Sequence, residues 1–148
     1  MTHITLAVTG SISAYKAADI TSQLTKLGFE VKVLMTPSAR KFITPLTLQV
    51  LSKNQVELDV MMEDDPQRIE HIDIGKETDL FLVAPASANT IAKLAMGLAD
   101  NMVTSTALAL PQRTKKLLAP AMNTKMLEHP ATQRNLKLLQ DYGYQMIQ

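Results

Sequence analysis

Leu80-Phe81-Leu82-Val83-Ala84 runs directly into Pro85-Ala86-Ser87-Ala88-Asn89-Thr90, and Leu117-Leu118-Ala119 runs in the same way into Pro120-Ala121-Met122-Asn123. Each segment is an apolar run of strand length, then a proline, then small and mostly polar residues. Short unbroken apolar runs mark parallel strands buried on both faces, and α/β sheets bind ligands beyond the carboxyl ends of such strands. No residue from Leu80 to Ala92 is charged. Both segments therefore read as strand ends lining a ligand crevice, with Pro85 and Pro120 terminating the strands.

Strand and helix periods alternate on either side of them. Residues 4–9 form a strand ended by Gly10. Ala17, Ile20, Leu24 and Leu27 recur at helical spacing, and Gly28 stops that helix. A second strand covers 30–35 and breaks at Thr36-Pro37. A helix over about 38–51 follows, with Pro45 at a turn or kink. The stretch 53–78 is polar, carries Glu63-Asp64-Asp65-Pro66, and shows no clear period. Strand three is 79–84. Ile91, Leu94, Ala95 and Leu98 make a helical stripe ending near Gly97, and Asp100 or Asn101 caps a further helix to about Leu110. A fourth strand at 115–119, a helix over about 130–142 and a fifth strand at 144–147 complete the pattern. Strands separated by helices imply right-handed βαβ units. The expected fold is α/β: a single domain with a three-layer, doubly wound parallel sheet of Rossmann or flavodoxin-like type.

Composition removes several classes of function. The 148 residues contain 15 Lys and Arg against 14 Asp and Glu, a net charge of +1. They form no basic stripe, which argues against nucleic acid and anionic membrane as partners. Cysteine is absent, so this stretch holds no disulfide, thiolate metal site or thiol nucleophile. The apolar runs fall short of the ~20 residues of a spanning helix, and no signal sequence is legible at the start. A cytoplasmic enzyme or binding protein is the simplest reading. The three histidines, His3, His71 and His129, have no ligand spacing, so no metal is expected.

The first turn, Thr9-Gly10-Ser11-Ile12-Ser13, has one glycine where a dinucleotide fingerprint has three, and no acidic residue ends strand two. Thr36 and Ser38 stand there instead. Hydroxyls at helix N-termini suit a phosphate, because free backbone N–H groups and the helix dipole favour an anion. Ser11, Ser13, Ser38, Ser87 and Thr90 are expected to converge on one such group. A mononucleotide fits better than a dinucleotide, and flavin mononucleotide (FMN) or a nucleoside phosphate is the natural candidate. Each residue also has a plain structural use. Gly10 makes a tight turn, Ser38, Asn89, Asp100 and Asn123 cap helices, and His71 is a surface histidine.

The segments Thr9–Lys16, Pro85–Asn101 and Pro120–Met126, together with His71, resemble the homo-oligomeric flavin-containing cysteine decarboxylases. The closest likeness is to the branch that acts on phosphopantothenoylcysteine in coenzyme A biosynthesis, and it spans essentially the whole chain. The resemblance implies FMN held by Gly10, Ser11, Ser13, Thr36, Ser38, Pro85, Ser87, Ala88, Asn89, Thr90 and Asp100. It implies His71 as catalytic base, Asn123 as the catalytic amide that holds the substrate carboxylate, and Met126 beside the substrate. It further implies a small-molecule substrate, phosphopantothenoylcysteine, and homotrimers or multiples of trimers with the flavin site completed across an interface. The apolar 89–110 region suits that contact. A separate phosphopantothenoylcysteine synthetase is a further implied partner.

Family members carry a segment after the fifth strand with a glycine-flanked cysteine. This sequence stops at Gln148 without one, so the expectation is a flavoprotein domain over 1–148 lacking the substrate-clamp segment, with the final reduction step in doubt. Lantibiotic-type decarboxylases acting on peptidyl cysteine share the architecture. A non-catalytic flavin-binding regulatory relative is the next alternative. A flavodoxin-like electron carrier is disfavoured by the net charge.

Overall fold

The computed structural model describes residues 1–58 and 70–147, with the side chains of Glu70, His71 and Ile72 outside that description. The Glu63–Pro66 run also lies outside it. Five strands form one parallel sheet: β1 (His3–Val8), β2 (Glu30–Met35), β3 (Leu80–Ala86), β4 (Lys115–Pro120) and β5 (Tyr144–Met146), in the order β2-β1-β3-β4-β5. Among the described residues seven helices connect them: α1 (Lys16–Lys26), α2 (Pro45–Ser52), α3 (Glu70–Glu77), α4 (Ala88–Met96), α5 (Met102–Leu108), α6 (Thr124–Glu128) and α7 (Pro130–Asp141), with 3₁₀ turns at Ile12–Tyr15 and Pro37–Lys41. This is the flavodoxin-like order, and it reverses direction between β1 and β3, where such sheets bind ligands.

Alternate strand residues feed two cores. Leu6, Val8, Val31, Val33, Leu82 and Ala84 pack with Ala14, Ala17 and Leu48 on the α1–α2 face. Ala7, Leu34, Phe81, Val83 and Leu118 pack with Ile74, Ile91, Leu94, Met102 and Leu139 on the other. Three layers follow directly. The α1–α2 layer does not fully cover β4, whose Leu117 and Ala119 on that face are only partly buried.

Several boundaries differ from the sequence reading. The helix over 38–51 is two elements, because Pro45 disfavours helical backbone at Thr44. Thr44 is extended (φ −81°, ψ 144°) and caps α2 with Pro45 in its first turn. Strand three runs through Pro85 to Ala86, so that proline does not terminate it, whereas Pro120 is the last residue of β4. The Ala84–Pro85 bond is cis, and the β3–β4 register shifts between Val83 and Ala86. The stretch 53–78 contains α3, whose Gly75 would place a Cβ 3.0 Å from Ala109 Cβ. That close contact with the chain after α5 has no local sequence signal. Short α6 was also missed.

Candidate functional site

The carboxyl ends of β1 and β3 are tied by Thr9, which is fully buried. Its Oγ1 donates to the Pro85 carbonyl at 2.6 Å and accepts from the Ser87 N–H at 2.8 Å. The next residue, Gly10, lies so close to the Pro37–Lys41 turn that a Cβ would fall 2.5 Å from Ser38 Cβ. Together these contacts fix three loop ends around the switch point.

Helices begin at each of these ends, and the caps are local. Ser11 Oγ accepts from Ser13 N at 3.2 Å, Thr36 Oγ1 from Ala39 N at 3.3 Å, and Ser87 Oγ from Thr90 N at 3.2 Å. Asn101 and Thr104 form a reciprocal capping box. Asn123 Oδ1 accepts from Met126 N at 3.0 Å. Of the residues expected as caps, Asn123 serves, and of the pair Asp100 or Asn101 it is Asn101 that does. The caps near Ser38, Asn89 and Asp100 are Thr36, Ser87 and Asn101. A cap occupies one donor of the first turn, while the remaining N–H groups there have no intrahelical acceptor and favour an anion.

Two hollows open beside the Gly10–Ser11 ridge. One, of about 400 Å³, is lined by Gly10, Thr36, Ser38, Ser87, Ala88, Asn89, Thr90 and Asp100, with Lys93, Asn101 and Met126. The other, of about 700 Å³, is lined by Ser11, Ser13, Pro85 and Asn123, with Lys16 and an apolar wall that includes Leu82, Ala119, Met122 and Ile147. It occupies the stretch of sheet that α1 and α2 leave uncovered. Both volumes fall in the ordinary range for small-molecule sites, ~300–1,000 Å³.

The five hydroxyls expected to converge are thus divided. Ser38, Ser87 and Thr90 face the smaller hollow, and Ser11 and Ser13 the larger. Met126 and Asn123, adjacent through the α6 cap, also line different hollows. The ammonium of Lys93 lies 2.7 Å from Asp100 Oδ2, and that hydrogen bond holds the carboxyl below its ordinary range. Asp100 is therefore a paired anion rather than an open one.

His71 lies at the start of α3. A helix leading into a parallel strand runs antiparallel to it, so the first turn of α3 sits toward the carboxyl end of the sheet. The backbone of His71 is at the correct end for the site, while its side chain lies outside the described residues. His129 Nδ1 accepts from Ala131 N, and at His3 it is the backbone N–H that donates to Asp79 Oδ2. Among the described residues no group of acidic or histidine side chains could hold a metal ion, and no helix is long and apolar enough to cross a membrane.

Sequence reasoning missed Thr9, Lys16, Lys93 and Asn101 as site residues. Thr9 and Lys16 bound the segment that carries the family resemblance, and a polar residue ending an apolar strand was the available signal for Thr9.

The chain was compared with known proteins. It is 66% identical over 145 residues to a probable phosphopantothenoylcysteine decarboxylase of Streptococcus mutans, covering 98% of this chain and 81% of the relative. It is 47% identical over 146 residues to the coenzyme A biosynthesis bifunctional protein CoaBC of Bacillus subtilis, covering 99% of this chain but 36% of that protein. The crystal structure of TvaF, an FMN-dependent cysteine decarboxylase from thioviridamide biosynthesis, superposes with a TM-score of 0.91 at 33% identity, covering 100% of this chain and 90% of TvaF. The flavoprotein family matches residues 1–148, and the chain belongs to that family.

Proposed function

We propose that this protein is a flavin-dependent carboxy-lyase that decarboxylates phosphopantothenoylcysteine in coenzyme A biosynthesis. The observation that carries this reading is the divided amide of Asn123. Its Oδ1 is committed to the Met126 N–H, so the half left to face the larger hollow is the Nδ2 donor. A neutral donor can hold the substrate carboxylate without the strong ion pair that would stabilise it in the ground state, which would not lower the barrier.

The smaller hollow fits FMN by its donor set. Ser38, Ser87 and Thr90 offer hydroxyls beside the first turn of α4, Gly10 adds no side chain, and Asp100, the one carboxylate among the described lining residues, is paired with Lys93. We assign these residues, with Thr36, Ala88, Asn89, the first-turn residues Ser11 and Ser13, and Pro85 of β3, to holding the cofactor. When bound, the flavin supplies the two-electron chemistry that makes a cysteinyl carboxylate labile. The protein positions, deprotonates and excludes water. Asn123 orients the carboxylate, Met126 packs beside the substrate, and His71 takes the thiol proton on its imidazole nitrogen. The apolar wall of the larger hollow keeps water from the reacting carbon. Similarity of 66% to the Streptococcus mutans relative favours the small-molecule substrate over a peptide.

We further propose a trimer, with Met96, Leu98 and Leu108, all at least half exposed, in the contact between subunits. The synthetase is the expected partner, since the Bacillus subtilis relative is a bifunctional coenzyme A biosynthesis protein.

The test is direct. Purified protein should be yellow and release CO₂ from phosphopantothenoylcysteine. Asn123→Asp keeps a good helix cap but replaces the donor with a negative charge. It should retain flavin and lose at least about 10²-fold in kcat, the usual effect of removing one oriented donor. His71→Asn should behave similarly. A colourless protein that takes up no added FMN ends this reading.

A further inference from the structure

Among the described residues lining the smaller hollow, Lys93 is the one cation and Asp100 the one anion. They meet each other, with Lys93 Nζ donating to Asp100 Oδ2 at 2.7 Å. Asp100 Oδ1 accepts from Asn101 Nδ2 at 3.3 Å, and Asn101 in turn caps α5. Lys93 stands three residues after Thr90 on α4, so the two side chains share a face. Long side chains on a helix lean toward its N-terminus. That lean carries the ammonium back toward the Thr90 hydroxyl and the first turn of α4, the part of the hollow that favours an anion.

A carboxylate beside these donors repels a phosphate, which carries about −1.5 to −2 charge near neutral pH. Lys93 only cancels it, so the intact pair offers an incoming phosphate no net positive charge. An exchange of partners removes the difficulty. The Lys93 and Asp100 side chains are 23% and 57% exposed, and a pair so open to solvent is weakly held. On exchange a dianion replaces a monoanion on the ammonium, and the released carboxylate is the more exposed partner, which water solvates. We propose that Lys93 is the receptor for the cofactor's phosphate and selects FMN over an unphosphorylated flavin. Asp100 is the exchangeable anion that keeps the ammonium turned into the hollow until the phosphate takes its place. This rests on the FMN reading above. The two partners of the pair then act on cofactor selection in opposite directions, which a purely structural ion pair cannot do.

The experiment titrates FMN and riboflavin into flavin-free protein and follows flavin fluorescence. Lys93→Met should lower the ratio of FMN to riboflavin affinity about 10–100-fold, as loss of a hydrogen bond to a charged group does. Lys93→Arg should restore most of it. Asp100→Asn keeps an acceptor for the ammonium and removes the competing charge, so it should raise the ratio about 2–5-fold, the scale of an exposed ion pair. An unchanged ratio in Lys93→Met, or a ratio that moves the same way in both variants, overturns the proposal. The substrate also carries a phosphate, so phosphopantetheine is titrated into the protein at saturating FMN, where Lys93→Met should leave its affinity unchanged. A loss there with an unchanged flavin ratio gives Lys93 to the substrate's phosphate and also overturns the proposal. If the unmodified protein takes up neither flavin, the cofactor reading itself has failed, and this inference with it.

Discussion

Thr9 joins two strands that are 76 residues apart in sequence, and both of its hydroxyl's bonds go to backbone groups at the site. A hydroxyl can donate once and accept as well, so one side chain satisfies the Pro85 carbonyl and the Ser87 N–H together. Thr9→Val keeps the shape and removes both bonds. The Pro85 carbonyl keeps the Thr9 N–H at 3.3 Å, while the part-buried Ser87 N–H loses its partner; an unpaired backbone group costs about 1–3 kcal/mol, so chemical denaturation should show a loss at the low end of that range and FMN titration a weaker affinity. A variant as stable and as flavin-competent as the parent would show that the bridge is not needed. The first turn was legible as a ligand turn from Gly10 and its serines. The role of Thr9 was not, because its partners are brought beside it by the pairing of β1 with β3.

Among the elements, α5 shows how a helix is placed by its cap. Asn101 N donates to Thr104 Oγ1, and Asn101 Oδ1 accepts from Thr104 N. Both residues are buried, as are Met102 and Val103 behind them. Asn101→Ala should cost about 1 kcal/mol and lower Tm by roughly 2–4 °C, measured by calorimetry, while Asn101→Asp should retain most of the stability. The periodicity of α1, α4 and α7 was readable because each has one apolar face. Eight-residue α3 was not, because its fit depends on Gly75 meeting Ala109, a contact set by tertiary packing.

For the whole molecule, the strand order places both hollows at one end of the sheet, where the connections after the paired strands β1 and β3 leave to opposite faces. On the flank, Met96, Leu98, Leu108 and Tyr142 expose apolar surface around a groove of about 400 Å³. Burial at its floor pushes the Tyr144 phenol well above its ordinary range, so that residue stays neutral. If this flank joins subunits, light scattering should give three times the mass of one chain, and Leu108→Glu should lower it. A monomer in the unmodified protein would remove the trimer from the proposal.

Sequence by itself determined the class of fold, the five strands, most of the helices and the identity of the polar residues at the strand ends. It did so because burial imposes a period of two or 3.6 and because caps and glycines act over a few residues. Only the tertiary structure decided how those residues are shared between sites. It put Ser38, Ser87 and Thr90 in one hollow, Ser11, Ser13, Lys16 and Asn123 in another, and Met126 across from its neighbour Asn123. The division follows from the strand order and from the approach of Gly10 to Ser38. Both depend on packing between segments distant in sequence, which no local pattern specifies.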